Sequence, residues 1–308
     1  GGITIAQSPQ DAEYSGMPLS AINAHHIDYV LSIKQINEFL PSIINRDKKK
    51  LPLTIEELET PLHNIQIMLS KEKHFDISKY KNETIMRRIN KRIGLTHAQD
   101  IEEYLLFIKK NPQELQLLYE YILIGVTSFF RDADAFETLK NELFIYLQDK
   151  PDQYKLRLWS IACATGEEAY SLAILVTEIS EELNRTFHLR IFATDIDEIA
   201  LTKARSGIYA DESLAKMDVS LKKKYFTKIE NNYHIVEAIR SKIVFTHHNV
   251  LNDPPFIKQD LVSCRNFLIY ILPSIQKEIF KLFHYSLKEK GLLFLGSSES
   301  TLSSNKYF

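Results

Sequence analysis

The sequence predicts an α/β protein, with a parallel sheet covered by helices and preceded by a small all-helical region. Three observations carry that prediction. From Lys155 onward, short apolar runs alternate with helix-length segments, and strands alternating with helices imply a parallel sheet buried on both faces. Residues 54–150 hold no such runs and read as helical throughout. Hydrophobic residues make up 44% and charged residues 25%, the usual proportions of a globular chain.

The 308 residues suffice for one large or two modest domains. A formal net charge of -2 gives no reason to expect nucleic acid or an anionic membrane as partner. Two cysteines, Cys163 and Cys264, cannot build a disulfide framework, and with no CxxC pair no metal is expected. No secretion signal and no membrane-length apolar run is visible, so a cytoplasmic location without membrane insertion is the expectation.

In chain order, residues 1–45 open with the apolar piece Ile3-Thr4-Ile5-Ala6. A turn at Gly16-Met17-Pro18 and a helical pattern through Ile33, Ile36 and Leu40 follow. The polar run Arg46-Asp47-Lys48-Lys49-Lys50 reads as a boundary. Thr54 with Glu57 suggests a capping box, and Thr96 suggests the cap of a helix running through Ile101, Tyr104, Leu105 and Ile108. Strands are then expected at Leu156–Ala162, Leu189–Thr194, Lys242–Thr246, Asp260–Cys264 and Leu292–Leu295, with helices from Glu167, from Glu198 and over Ser274–Leu287.

Ligands of such sheets bind beyond the carboxyl ends of the strands, so the residues just after each strand are where chemistry is sought. Ala162-Cys163-Ala164-Thr165-Gly166 follows the first strand; its small residues let a ligand approach the backbone at a helix N-terminus, or simply make a tight turn. Asp195 follows the second, placed to accept the hydroxyls of a ribose or to cap the helix from Glu198. A GxGxxG fingerprint is missing, which disfavours a pyrophosphate cofactor and favours a ribose-bearing one without phosphate, S-adenosylmethionine. Asn249 and Val250 follow the third strand and Asn266 the fourth. Asparagine offers donor and acceptor to a cofactor, though alone it is more often a turn former.

Five stretches, in order, resemble one family. They are Thr127-Ser128-Phe129-Phe130-Arg131-Asp132, Ala164-Thr165-Gly166-Glu167-Glu168-Ala169-Tyr170-Ser171, Ala193-Thr194-Asp195-Ile196-Asp197, Cys264-Arg265-Asn266-Phe267-Leu268-Ile269-Tyr270 and Leu295-Gly296-Ser297-Ser298-Glu299. Over about residues 60–300 the chain resembles the CheR family of chemoreceptor glutamate methyltransferases. The resemblance implies a Rossmann-like S-adenosylmethionine-dependent methyltransferase sheet preceded by a small all-helical domain. It implies that Thr127, Arg131, Glu168, Asp195, Asn249, Val250, Asn266 and Phe267 line the cofactor pocket, and that Arg131 and Tyr270 flank the transferring methyl as catalytic residues. Other roles stay open: Phe129, Phe130 and Phe267 as core, and Arg131 as ion-pair partner of Asp132 or Asp134. Gly125 stands where the family usually has asparagine, and Ala162 where glycine is frequent.

The chemistry implied asks little of the protein. A glutamate carboxylate, with a pKa of about 4.3, is ionised at neutral pH and needs no general base. The sulfonium is an activated donor, so alignment of carboxylate, methyl and sulfur is the main task. Arg131 and Tyr270 are therefore expected to position groups, not to exchange protons.

Between residues 71 and 92, Lys71, Lys73, Lys79, Lys81, Arg87, Arg88, Lys91 and Arg92 outnumber Glu72, Asp76 and Glu83. Arg88 and Arg92 are spaced to share a helix face. That face is either merely solvated or, as the family implies, a dock for an acidic receptor methylation helix, with Arg87, Arg88 and Arg92 as candidates. Residues 211–240 interrupt the alternation where the family inserts a small antiparallel subdomain.

Residues 1–45 are similar to the closing segment of a CheB-type methylesterase domain. The match runs through Gly1-Gly2, Ala6-Gln7, Ala12-Glu13-Tyr14, Gly16-Met17-Pro18, Ser20-Ala21-Ile22 and Asp28-Tyr29-Val30-Leu31. That implies a fragment of an esterase–methyltransferase fusion, without the esterase nucleophile and with further signalling domains in the parent polypeptide. The expected domains are an esterase remnant at 1–45, a linker at 46–60, a helical docking domain at 61–135 and the cofactor domain at 136–308. The cofactor domain carries an insertion at about 209–241 and ends short of the family's last two strands. Two rivals remain. Asp253-Pro254-Pro255-Phe256 resembles the motif of amine and nucleic-acid N-methyltransferases, though a strand still follows it. A scaffold that binds cofactor or partner without turnover is the other.

Overall fold

A computed structural model describes residues 4–9, 11–23, 27, 29–34, 36–37, 60–123, 125 and 127–301, which form two compact units. The expected features at Ile3, Asp28, Leu40, the polar run at 46–50 and Thr54 with Glu57 lie outside the described residues.

The first unit comprises residues up to Ile77 together with Ile89–Gln116. Strands β1 (Ile5–Gln7) and β2 (Tyr29–Leu31) pair in parallel, as the crossover through α1 (Gly16–Asn23) demands. Here the sequence reading needs correction. Gly16-Met17-Pro18 is not a turn but the first turn of α1, where a proline costs no hydrogen bond because its missing N–H would have had no intrahelical partner. Asp11 closes the motif by accepting from the Ile33 N–H at 2.8 Å.

Helix α2 (Pro61–Lys73) starts at Thr60, whose hydroxyl accepts from the His63 N–H, with Pro61 in the first turn. Helix α3 (Asn82–Thr96) ends where a cap for the next helix was expected. The Thr96 hydroxyl donates back to the Arg92 carbonyl at 3.0 Å, and Asp100 is the true cap of α4 (Ile101–Lys110), accepting from the Glu103 N–H at 2.8 Å. Thr96 was misread because a threonine inside the last turn satisfies its hydroxyl locally, while Asp100 stands directly before the helix. Ile65, Leu69, Ile89, Tyr104 and Ile108 are fully buried in this unit.

The second unit comprises Ser78–Arg88 and the chain from Leu117. Its centre is a five-stranded, all-parallel sheet. The strands are β3 (Lys155–Ile161), β4 (His188–Asp195), β8 (Ile243–His247), β9 (Gln259–Cys264) and β10 (Leu287–Leu295). Strand β9 is buried along its whole length, as a central parallel strand should be. Helix α6 (Ala133–Gln148), which follows α5 (Pro112–Leu123), buries Phe136, Leu139, Leu143 and Leu147 at helical spacing. Helix α7 (Glu167–Glu182) buries nearly a full circumference, from Ala169 to Ile179. Each fully buried leucine stabilises by roughly 1.5–3 kcal/mol.

Helix α8 (Glu198–Ser206) connects β4 to an antiparallel three-stranded sheet in the order β5-β7-β6: β5 (Ile208–Ala210), β6 (Phe226–Ile229) and β7 (Asn232–Ile235). Helix α9 (Val219–Tyr225) leads into β6, and α10 (Glu237–Arg240) returns the chain to β8. The chain runs from β3 to β4 and β8 on one side, then returns to β9 and β10 on the other. The reversal lies between β3 and β9, and α11 (Pro273–Ser286) links the last two strands. A crevice at the carboxyl ends of β3 and β9 is where an open α/β sheet binds its ligand. Among the described residues no helix is long and apolar enough to cross a membrane.

Candidate active site

At that crevice lies a cavity of about 430 Å³ within the second unit. All nine residues expected at the cofactor and the methyl line it: Thr127, Arg131, Glu168, Asp195, Asn249, Val250, Asn266, Phe267 and Tyr270. They come from segments spread over 144 positions of the chain (127 to 270, inclusive), and the switch point of the sheet brings them together.

The loop after β3 forms one wall. Ala162 (φ 53°) and Ala164 (φ 46°) both adopt the left-handed conformation that costs a residue with a Cβ about 1 kcal/mol or more, and Gly166 (φ 93°) precedes α7. Phe130, Asp132 and Asn266 add three further left-handed residues on the segments around the cavity. Strain of this kind gathers at ligand clamps, where the surrounding structure holds it in place.

Asp195 ends β4 with its carboxylate fixed from two sides. Oδ2 accepts from the Ala164 N–H at 2.7 Å and Oδ1 from the Asp197 N–H at 2.9 Å. Each oxygen keeps a free lone pair, so the group can still accept two ribose hydroxyls. Asp195 is not the cap of α8; that is Asp197, which accepts from the N–H groups of Ile199 and Ala200. Burial raises the Asp195 carboxyl above its ordinary range, and the two N–H groups pull it back.

Glu168, in the first turn of α7, points under the β3 and β9 strand ends. It accepts from Ser160 Oγ at 3.1 Å and Ser263 Oγ at 2.7 Å, and Arg265 Nη1 stands 3.7 Å away. Burial raises its pKa; the Ser263 hydroxyl, Arg265 and the Ser160 hydroxyl oppose that. A buried carboxylate held by two hydroxyls, with the Arg265 cation at the longer distance of 3.7 Å, suits a cationic ligand group.

The Asn266–Tyr270 loop forms the opposite wall, and Lys81 donates its N–H to the Tyr270 carbonyl at 2.8 Å. Phe129 belongs to the core, edge-on to Tyr209 and Phe226, and Phe130 packs edge-on against Phe136. Phe267 lines the cavity. Asp132, the residue after Arg131, binds Arg265 at 2.8 Å. Gly125 lines the cavity beside Ala164, where an added Cβ would come within 3.1 Å of the alanine methyl. Asn249 uses its side-chain oxygen to accept from the Leu251 N–H, which leaves its amide N–H₂ for a ligand.

Sequence reasoning missed several lining residues. Tyr80, Thr84 and Ile85 enter from around the start of α3, Ile196 and Asp197 from the β4–α8 connection, and Lys203 from α8 itself. Arg265 lies inside a recognised motif but had no role; its guanidinium, 1% exposed, joins Glu168 to Asp132. The Asp253–Phe256 motif is absent from the cavity lining. Asp253 accepts from the Asn249 N–H and the half-buried Phe256 stacks on Phe192, so this segment is a turn with an aromatic anchor.

The three docking arginines have separate fates. Arg87 is exposed. Arg88 lines the cavity, its guanidinium 5.6 Å from the centroid of the Tyr121 ring. Arg92 corrects the sequence reading, because it does not present a solvated basic face. It grips Glu114 through two bonds of 2.8 and 2.6 Å, Tyr104 donates to the same carboxylate at 2.8 Å, and the arginine side chain is 14% exposed. A guanidinium held by a buried carboxylate is an anchor of the helical unit.

Comparison with known proteins finds three family models in order. The CheB methylesterase model matches residues 1–40, the all-alpha domain of CheR methyltransferase residues 62–123, and the S-adenosylmethionine-binding domain of CheR methyltransferase residues 125–308. An uncharacterized 104.1 kDa protein of Rhodobacter capsulatus is 36% identical over 97% of this chain, which spans 34% of that protein's length. The chemotaxis protein methyltransferase of Listeria innocua is 30% identical, covering 82% of this chain and 95% of its own length. That of Borreliella burgdorferi is 28% identical, covering 85% and 95%.

Proposed function

The chain belongs to the CheR methyltransferase family, and from that premise we propose that it moves a methyl group from S-adenosylmethionine onto glutamate side chains of a chemoreceptor-like helical partner. The observation that carries this reading is the gathering of Arg131, Glu168, Asp195, Asn266 and Tyr270 around one cavity at the switch point.

The residues present fit S-adenosylmethionine. Asp195 has lone pairs for two ribose hydroxyls, and Glu168 offers a buried anion to the ammonium of the amino-acid tail. Thr127, Asn249, Val250, Asn266 and Phe267 supply the remaining walls. Bound there, S-adenosylmethionine supplies an electrophilic methyl whose departure leaves a neutral thioether. Arg131 then holds the incoming glutamate carboxylate by a charge-assisted bond, Tyr270 limits its approach, and no proton moves. Arg88, which lines the cavity, and the exposed Arg87 next to it give this stretch of α3 a positive field that favours an acidic helix. The CheB match and the longer R. capsulatus relative support a parent polypeptide with further signalling domains.

The test is methyl transfer from labelled S-adenosylmethionine to a receptor methylation fragment carrying glutamates or, as control, glutamines. Carboxyl methyl esters release methanol in mild base, and N-methyl groups do not. Base-labile label on the glutamate form supports the proposal. Base-stable label, or equal label on the glutamine form, overturns it.

A further inference from the structure

Glu299 had no role in the reading of its motif and does not line the cavity. Its carboxylate nevertheless ties together the ends of β9 and β10. Oε2 accepts from the Asn266 N–H at 2.9 Å and the Gly296 N–H at 2.8 Å, and Oε1 accepts from the Leu268 N–H at 2.7 Å. Two of those three donors bracket Phe267, and the first belongs to Asn266, which sits at φ 59°.

The site is built tightly around this carboxylate. A Cβ added at Gly296 would fall 2.7 Å from Glu299 Oε2 and 3.1 Å from the Asn266 N, so a glycine is needed for the clamp to close. Downstream, Gln276 donates to the carbonyls of Leu268 and Ile271 at 2.8 and 3.1 Å, fixing the other end of the same loop. The one carboxylate holds three backbone donors in a single geometry.

We propose that Glu299 is a positioning residue for methyl transfer: its carboxylate clamps the Asn266–Phe267–Leu268 backbone and so sets the cavity wall that leads to Tyr270. The inference rests on the methyltransferase reading above and adds a residue to that site.

The experiment is titration calorimetry of the full chain with S-adenosylhomocysteine, together with thermal unfolding of each variant. Asn266→Gly removes the side chain without penalising positive φ. Glu299→Ala should weaken binding by about tenfold or more, since three charge-assisted bonds are lost. Glu299→Gln, which keeps one acceptor oxygen, should fall between it and the wild type. Glu299→Ala combined with Asn266→Gly should bind little worse than the weaker single variant, because both act on one wall. Unchanged affinity in a Glu299→Ala protein that only melts earlier would overturn the proposal, as would full additivity in the double variant. If Glu299→Ala does not fold, Glu299→Gln is judged by the same criteria. Failure of the wild-type chain to bind would overturn the methyltransferase reading itself, a separate and recognisable result.

Discussion

Glu168 and Arg265 face each other across the floor of the cavity, Oε2 to Nη1 at 3.7 Å, with the arginine 1% exposed and also bound to Asp132. The pair sets two things together. It offsets the desolvation of Glu168, and through Asp132 it ties down the residue next to Arg131. Burial raises the Glu168 carboxyl above its ordinary range, and Arg265, itself nearly out of solvent, opposes that rise and so favours the charged form.

That charge gives a pH dependence. Burial holds both Asp195 and Glu168 above the ordinary carboxylate range. Between the ordinary and the raised pKa the folded chain is protonated where the unfolded chain is not, so stability without cofactor falls as pH rises through that window. Cofactor binding uses the ionised forms and runs the other way. Affinity for S-adenosylhomocysteine should weaken as pH is lowered from about 7.5 to about 5, and a flat calorimetric profile would refute the role of both carboxylates.

Asp195→Ala should weaken cofactor binding about a hundredfold or more. It removes the two charge-assisted contacts proposed for the ribose and leaves the Ala164 and Asp197 N–H groups without their acceptor. Equilibrium dialysis against labelled S-adenosylhomocysteine reads this directly, and unchanged affinity would reassign the residue.

Arg131→Ala should lower kcat about ten- to a hundredfold while changing cofactor affinity much less, because its assigned partner is the acceptor carboxylate. Steady-state methylation with binding measured in parallel separates the two. Equal turnover would place Arg131 outside the reaction.

Arg92 and Arg87 should respond in opposite ways. Arg92→Ala strips the buried Glu114 carboxylate of its cation and should cost about 3–5 kcal/mol, visible in thermal unfolding. Arg87→Glu, at an exposed position, should leave stability nearly unchanged while slowing methylation of an acidic partner in a salt-sensitive manner. Undiminished methylation at every salt concentration would mean that Arg87 is only solvated.

Much of the second unit was legible in the chain itself. Five strands and their intervening helices announce themselves because burial on both faces forces continuous apolar runs, and a helix between them forces the 3.6-residue period. Asp195, Asn249 and Asn266, which line the cavity, stood out in the sequence because the position after a parallel strand is chemically special in any such sheet. The α1 helix was misread as a turn because glycine and proline signal breaks, and only the later context shows a proline inside a first turn.

What the sequence alone determined, then, is the order of elements and the residue types at the strand ends, since both follow from local periodicity and backbone chemistry. Which of those residues meet, and through whom, was decided by tertiary structure. Arg92 has the spacing of a surface cation until Glu114 is found buried beside it. Arg265 and Glu299 look like ordinary motif charges until Glu168 in one case, and three backbone N–H groups in the other, are brought to them from 97 and 33 or fewer positions away (265−168; 299−266). Burial and pairing are properties of contacts between distant segments, and such contacts exist only once the chain has closed on itself.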